Sequence, residues 1–303
     1  MFIRQLSYLI ALDKHKHFGR AALSCHVSQP ALSNAIRDLE QELGIMIVKR
    51  GRTFEGITPE GERVIAWARN MLESLNGLQQ EAALIKKVPS GHLTIGVIPT
   101  AVHAAILLGA EYRKTMPQLS QEILSLRTTT ILKRLKTQEL DFGLLYDKSV
   151  AGDEYDILPL FTERYVLVSS HQAALLPYQL SWEEVGQLPL CVLSRDMHNR
   201  QMVDEIFKTL KIQPHIVLET NALSILYAEA ASGRAYSIMP LSALLAENKG
   251  YNVRAHGITP NHAEDVCLVR LKRKKQSPVC ELVWRFTANF DVQSVLEQAA
   301  SAV

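Results

Sequence analysis

Apolar positions recur along the chain in three different rhythms. Through residues 1–58 they fall at short helical spacings, in segments rich in Ala, Leu and Arg. Further on, Val64, Ala68, Met71, Leu75, Leu78, Ala82 and Ile85 follow one another by alternating steps of four and three. That is the heptad repeat of one long helix with a single apolar seam. Thr58 predicts its N-cap, with Pro59 at the first helical position and Glu60 and Glu62 at the positive end. Pro89 and Gly91 predict its end. At ~1.5 Å per residue a helix over 59–88 is ~45 Å long. Such a stripe requires a partner, either the chain's own downstream domain or a second copy of the helix.

After Gly91 strands and helices alternate. Strands are predicted at 93–98, 123–126, 140–146, 165–169, 190–193 and 216–218, with helices at about 102–114 and 131–136. This β-α-β order predicts an α/β domain with a mainly parallel sheet. The chain therefore divides into 1–58, 59–88 and 89–303, within the two or three domains that 303 residues allow.

The bulk charge of +2 does not suggest a nucleic-acid binder, so such a reading rests on where the charges sit. Residues 1–58 hold eight Lys and Arg against five Asp and Glu, a local charge of +3. Within them, 18–40 reads as two helices joined by a tight turn at Cys25–Val27. Ala21 and Ala22 allow close approach, and Cys25, Val27, Leu32, Ile36 and Leu39 supply apolar contacts. Ser28 is a good N-cap for the second helix, and Pro30 is tolerated in its first turn. Gln29, Ser33, Asn34 and Arg37 share one face of that helix, and such side chains can reach base edges and phosphates. The basic cluster Lys49-Arg50-Gly51-Arg52 suits a flexible turn that grips phosphate or the minor groove. By pattern alone, an amphipathic helix pair with Ser and Gln outside fits a plain scaffold equally well.

The sequence itself is more specific. Phe18, Ala21-Ala22, Ser28-Gln29-Pro30-Ala31-Leu32-Ser33, Ile36, Leu39-Glu40, Leu43-Gly44, Arg50 and Thr58-Pro59-Glu60-Gly61 closely resemble the DNA-binding motif of LysR-type transcriptional regulators. Departures from the family pattern are His17 in place of Ser, Cys25 in place of Leu, Ile47-Val48 in place of Leu-Phe, Ile57 in place of Leu, and Asn34 where Arg is common. The resemblance implies an N-terminal winged helix-turn-helix, a long linker helix and a C-terminal periplasmic-binding-protein-like effector domain of two α/β subdomains. It implies DNA contacts from Arg20, Ser28, Gln29, Pro30, Ser33, Asn34, Arg37, Lys49, Arg50 and Arg52. It further implies a homodimer paired through the linker helix, commonly a homotetramer, acting as activator or repressor on operator DNA with RNA polymerase as a further partner. The weaker match of Thr128, Ile131, Leu135 and Glu139-Leu140-Asp141 to a family element of the effector domain has Gln138 in place of a glycine.

On that architecture the crossings between subdomains are placed near Glu163–Tyr165 and Val266–Leu268. Subdomain I is then 91–163 with 268–303, and subdomain II is 164–267. Ligands of open α/β sheets bind beyond the carboxyl ends of strands, often at helix N-termini. This selects Pro99, Thr100 and Ala101 after the first strand, Thr128 and Thr129 after the second, and Arg195, Met197, His198 and Asn199 after the strand at 190–193. Hydroxyls, free backbone N–H groups and a His or Asn favour a small carboxylate or other anion as effector. Taken singly, each has a plainer role: a Thr as N-cap, His198 in a turn, Arg195 paired with an acid.

Other classes find less support. No nucleophile elbow, phosphate-binding loop or zinc-helix motif is present, the histidines form no ligand set, and neither a metal nor another cofactor is expected. No run of eighteen apolar residues and no signal-peptide pattern occurs, so a reduced, cytoplasmic protein away from membranes is expected. Cys25, Cys191, Cys267 and Cys280 are scattered and read as small core residues. A thiol-based redox regulator is the alternative, and it needs two cysteines able to meet.

Overall fold

The computed structural model describes the chain except residues 52–53, 87, 172–175, 248–252 and 302–303, and side chains except those of 50, 245–247 and 299–301. Two units are present, 1–89 with 277–279, and 90–276 with 280–303. Among the described residues no helix is long and apolar enough to cross a membrane.

The first unit contains α1 (Ile3–His15), α2 (Phe18–Ser24), α3 (Gln29–Leu43), the antiparallel pair β1 (Val48–Arg50) and β2 (Phe54–Ile57), and α4 (Pro59–Ile85). Its core joins Leu6, Leu9 and Leu12 of α1, Ala21 and Ala22 of α2, Leu32, Ile36 and Leu39 of α3, Ile47, Val48, and Ile65 and Ala68 of α4. The start of α4 is thus part of the head's own core. Val64 and Ala68, the first two positions of the expected seam, are used there, with Leu72 beside them. Beyond that point Leu78 is 67% exposed and Ile85 76%, and Trp67, on another face of the helix, is 71% exposed. The helix has 27 residues, or about 40 Å, and stops at Ile85, before the predicted end.

Two small features fix the angle at which α4 leaves the pair of strands. Thr58 Oγ1 accepts from Gly61 N at 2.9 Å, the expected N-cap, and Pro59 occupies the first turn. A Cβ on Gly61 would stand 2.3 Å from the Ile47 carbonyl oxygen, so only glycine allows this approach. Beneath them the buried Glu40 carboxylate accepts from Ile47 N at 2.8 Å and Val48 N at 2.9 Å.

The second unit runs β3 (Ser90–Val97), α5 (Val102–Thr115), β4 (Gln118–Ser125), α6 (Thr128–Lys136), β5 (Phe142–Tyr146), β6 (Tyr155–Ser170), β7 (Gln179–Ser181), α7 (Trp182–Gln187), β8 (Leu190–Leu193), α8 (His198–Thr209), β9 (Ile216–Thr220), α9 (Leu223–Ala231), β10 (Tyr236–Pro240), α10 (Leu241–Glu247), β11 (Val253–Thr259), β12 (Ala263–Leu271), α11 (Pro278–Ala288) and α12 (Val292–Ser301). One sheet has the order β4-β3-β5-β12-β6 and the other β7-β11-β6-β10-β8-β9. Both are mixed rather than mainly parallel, because β6 and β12 run against their neighbours.

The 16-residue β6 belongs to both sheets. Its Tyr155–Arg164 half pairs with β12, and from Tyr165 onward it pairs with β10 and β11. The return passes through 260–262, between β11 and β12. The crossing expected at Val266–Leu268 is displaced from there. Those residues lie inside β12, paired with Leu144–Tyr146 of β5. The apolar run Val266-Cys267-Leu268-Val269 contains no turn residue, whereas Thr259-Pro260-Asn261 does, and chain direction changes where backbone chemistry permits it.

α6 is drawn tightly onto the first sheet. A Cβ on Gly143 of β5 would lie 2.7 Å from Ile131 Cγ2. Its exit is through Gln138, which takes the left-handed conformation (φ 59°) at the position where the family pattern has glycine.

Candidate functional site

The helix-turn-helix is built by capping. His17 replaces a serine, yet its Nδ1 accepts from Gly19 N at 3.1 Å and Arg20 N at 3.3 Å, so the imidazole caps α2. α2 ends at the turn 25–27, where His26 has φ 55°. Ser28 Oγ then accepts from Ala31 N at 3.3 Å and opens α3 with Pro30 in its first turn. With Leu32, Ile36 and Leu39 buried, the opposite face of α3 points to solvent.

Gln29, Pro30, Asn34 and Arg37 are exposed on that face and Ser33 is half-buried, while Arg20 and Ser28 are exposed at the helix junction. Gln41 is also exposed, and helical geometry carries it onto the same face one turn beyond Arg37. Lys49 is exposed on β1. Arg50 ends that strand, and Arg52 lies outside the described residues. The result is a solvent-facing helix carrying amide, hydroxyl and guanidinium groups beside a basic two-stranded turn, the arrangement that enters a major groove and holds its flanking phosphates.

The second site lies in the second unit, where the two sheets face each other. Pro99, Thr100, Thr128, Met197, His198 and Asn199 line one small cavity together with Ile98, Arg127, Tyr146 and Asp196. Three residues selected from the sequence do not line it. Ala101 is 1% exposed and packs into the core, Thr129 is turned to solvent, and the exposed Arg195 is 3.9 Å from Glu219. The reason is helical geometry. Adjacent positions in a helical turn diverge by about 100°, which separates Ala101 and Thr129 from their cavity-lining neighbours, and Arg195 lies in the turn before α8.

Contacts from both sheets meet here. His198 Nε2 is 2.8 Å from Glu264 Oε2, and Lys148 Nζ is 3.3 Å from Glu264 Oε1. The Glu264 carboxyl lies below the usual range; burial pushes it up, but His198 and Lys148 together outweigh that. The Tyr146 ring lies 4.9 Å from the His198 ring, tilted by 31°. Arg127 Nη1 reaches Asp196 Oδ2 at 2.7 Å.

Burial pushes the Tyr146 and Tyr165 hydroxyls far above their ordinary value, so both stay protonated. Tyr165 donates to Tyr146 at 3.3 Å, and Tyr146 is 3.2 Å from Thr100 Oγ1. If the donation runs Tyr165 to Tyr146 to Thr100, the Thr100 proton is left for a further acceptor. Asn199, only 4% exposed, has an Nδ2 with no partner among the described residues.

Behind Thr100, Ser242 donates through its N–H to Glu163 Oε1 at 3.1 Å and through its hydroxyl to Glu163 Oε2. Glu163 sits where β6 passes from one sheet to the other, and burial pushes its carboxyl up to about 7. A larger cavity of about 270 Å³ adjoins the first through Pro99 and Thr100 and reaches His103, Asn221 and Leu223.

Tyr146, Glu163, Ser242 and Glu264 are absent from the sequence-based selection. Tyr146 is the last residue of a central strand, and the strand-end rule used for Pro99 and Thr128 would have found it. Glu163 stands between Thr162 and Arg164, and Glu264 beside Asp265, so neither is set apart from its neighbours by the sequence pattern.

The cysteines stand apart from this cavity. Cys191 and Cys267 are fully buried, and burial pushes their thiols up to about 11 and about 12. Cys280 is buried with Sγ 3.5 Å from Asp141 Oδ1, and Cys25 is half-buried in the head. No group of His, Cys, Asp and Glu able to hold a metal ion occurs among the described residues.

Comparison with known proteins covers both units. Residues 3–62 match the bacterial regulatory helix-turn-helix of the lysR family, and residues 86–290 match the LysR substrate binding domain. The hydrogen peroxide-inducible genes activator of Haemophilus influenzae is 31% identical over 84% of this chain and 85% of its own length. The DNA-binding transcriptional dual regulator OxyR of Escherichia coli is 38% identical over 55% of each chain. Among solved structures, a full-length OxyR variant from Pseudomonas aeruginosa superposes with a TM-score of 0.74 at 26% identity, over 96% of this chain and 99% of that one. CbnR complexed with its target DNA shares the fold, with a TM-score of 0.67 at 20% identity over 95% of this chain and all of the other. The chain belongs to the LysR family of DNA-binding transcriptional regulators.

Proposed function

We propose that this regulator reads operator DNA with the outer face of α3 and the basic β1–β2 turn, and that a small anion held between the two sheets of its second unit sets that activity. The single observation that carries the second half is that Thr100, Thr128, His198 and Asn199, which follow strands of both sheets, line one cavity. The exposed Trp67, Met71, Leu78 and Ile85 on α4 support pairing of two copies through that helix. A dimer then presents two recognition helices to two half-sites. Its effect on transcription is exerted on RNA polymerase as the further partner.

The test is selection of genomic fragments by the purified protein at fixed salt, followed by footprinting. An inverted repeat within the protected region supports the dimeric reading. If a folded sample retains no fragment above random DNA, the proposed DNA interface fails. Retention that no small anion alters refutes the sensing half alone.

The names of the peroxide-inducible relatives favour a second reading, thiol-based redox sensing. Its chemistry needs an accessible thiolate. Two of the four thiols here are fully buried and protonated well above neutrality, and the third buried one is held against a carboxyl group. Thiol counting before and after peroxide decides: loss of two thiols with altered DNA binding establishes this second reading, and an unchanged count removes it.

A further inference from the structure

The second unit concentrates positive charge at a place that neither site described above uses. Residues 90–303 hold 21 Lys and Arg against 22 Asp and Glu. Four of the 21 stand together as Lys272-Arg273-Lys274-Lys275, and the other 17 face 22 acids, so an otherwise acidic unit carries one strongly basic loop. The loop joins β12 to α11. Leu271, just before it, pairs with Tyr155 at the start of β6, whereas Val266, further back on β12, pairs with Tyr146 in the cavity wall. At ~3.4 Å per strand residue the loop begins ~17 Å from that wall, at the opposite end of the first sheet.

Its shape is fixed from both ends. Lys272 N donates to the Glu154 carbonyl oxygen at 2.8 Å, and Gln276 Nε2 donates to the Leu271 carbonyl oxygen at 2.8 Å. Arg273 is half-buried, while Lys272, Lys274 and Lys275 are exposed. Acids around the loop are engaged elsewhere. Glu154 holds Lys136 at 2.6 Å, Asp156 holds Arg270 at 2.9 Å, and Glu281 holds Arg270 and Arg285, each at 3.0 Å. Among the described residues no carboxylate forms an ion pair with Lys272, Lys274 or Lys275. Like charges packed so closely repel one another, and a polyanion relieves that repulsion while releasing its own counterions.

Composition selects the kind of polyanion. Lysine is depleted at protein–protein interfaces, which are built on aromatic and other apolar anchors, and 272–276 offers no apolar side chain. Lysines on a short loop suit sequence-independent contact with a phosphate backbone, and DNA, which this family binds, has one. We propose that the 272–275 loop is a second DNA contact, in which Lys272, Lys274 and Lys275 hold backbone phosphates outside the bases read by α3. This goes beyond the readings above and requires no effector.

The experiment uses the full chain and a triple variant, Lys272→Gln with Lys274→Gln and Lys275→Gln, first compared for thermal melting. Three duplexes serve as probes. One is the inverted repeat of a fragment recovered in the selection above. The second is the same repeat extended on each side by roughly 30 base pairs, or three helical turns. The third is a random sequence of the longer length. Affinity is read across a salt titration. The parent should bind the extended duplex more tightly than the trimmed one, with a steeper salt dependence. The variant should match the parent on the trimmed duplex and lose about tenfold or more on the extended one at low salt, its salt slope shallower by up to about 3. The same flattening should appear on the random duplex. Replacing the three lysines by arginine should keep the parent's slope.

Equal salt slopes for parent and glutamine variant on the extended duplex overturn the proposal, as does an equal loss on the trimmed and extended duplexes. Unchanged DNA binding together with altered transcription by purified RNA polymerase assigns the loop to an acidic protein surface instead, and overturns it too. Selection of no fragment by the parent strikes the operator-reading proposal, and the random duplex then decides this one.

Discussion

Glu163 offers the sharpest test of how the two sheets of the second unit are joined. Its carboxyl is buried where β6 changes sheets, and desolvation raises it from the ordinary 4.5 to about 7, against the hydrogen bonds from Ser242. The folded state therefore holds this proton more tightly than the unfolded chain does. Between 4.5 and about 7 the folded state binds more protons, so its stability falls as pH rises, and above that range the loss is complete. At about 1.4 kcal/mol per pH unit, the ionised carboxylate costs the fold about 3 kcal/mol in alkaline solution.

Glu163→Gln removes the charge and keeps an acceptor for Ser242, whose hydroxyl also has the Thr100 carbonyl 3.5 Å away. The variant should match the parent, or trail it by up to about 1 kcal/mol, near pH 5, and exceed it by about 2–3 kcal/mol near pH 8. Urea unfolding followed by tryptophan emission reads this unit through Trp182, which is fully buried beneath the second sheet. Parallel stability curves for the two proteins across that pH range would refute the argument. They would mean that Glu163 stays ionised, held by charges rather than weakened by burial.

Arg37→Ala should cost operator binding about 1–3 kcal/mol and relax preference at one base position if Arg37 reads a base edge. Competitive binding with single-base operator variants measures this. Lys49→Ala should weaken all sequences alike and flatten the salt dependence by about one charge, seen by titrating the complex with salt. Glu40→Ala leaves the buried Ile47 and Val48 N–H groups without their carboxylate and should destabilise the head by at least about 2 kcal/mol, measured by thermal unfolding. Gly61→Ala forces a Cβ against the Ile47 carbonyl and should lower the same transition, with a loss of DNA binding as the strand pair shifts.

The head was legible because its signals are local. A cap at Ser28, a proline at 30 and buried positions at 32, 36 and 39 all belong to one helix, and helical periodicity places its two faces without knowledge of the rest. The same reasoning found α4 but not the partner of its seam. The heptad steps mark an apolar stripe but not which neighbour it meets, and Ala68 is spent on the head's own core. In the second unit, strands that alternate with helices were visible, whereas β7, β10 and β11 have no counterpart among the predicted strands. β10, β11 and β12 pair antiparallel with β6, and β7 pairs with β11, and nothing in a short apolar run says which strand will lie beside it. The cavity residues divide in the same way. Strand-end and helix-start positions were readable, whereas the meeting of Glu264 with His198, 66 residues apart, is a product of the crossover alone.

The contacts that hold the two sheets face to face are the kind that a small ligand can shift. The Arg127–Asp196 pair is about half exposed on both sides, and ion pairs of that kind contribute about 0–1 kcal/mol. His198–Glu264 is better buried, at 23% and 8% exposure, and is the firmer bridge. Beside these, the buried Asn199 Nδ2 has no partner among the described residues. A ligand moves such an equilibrium only by its difference in affinity for the two arrangements. On the proposed sensing reading, a ligand that touches both Thr100 and Asn199, which follow strands of different sheets, has such a difference wherever the sheets move apart. On that reading the exposed Arg127–Asp196 pair is the contact most easily exchanged, and the better buried His198–Glu264 pair the one that resists it.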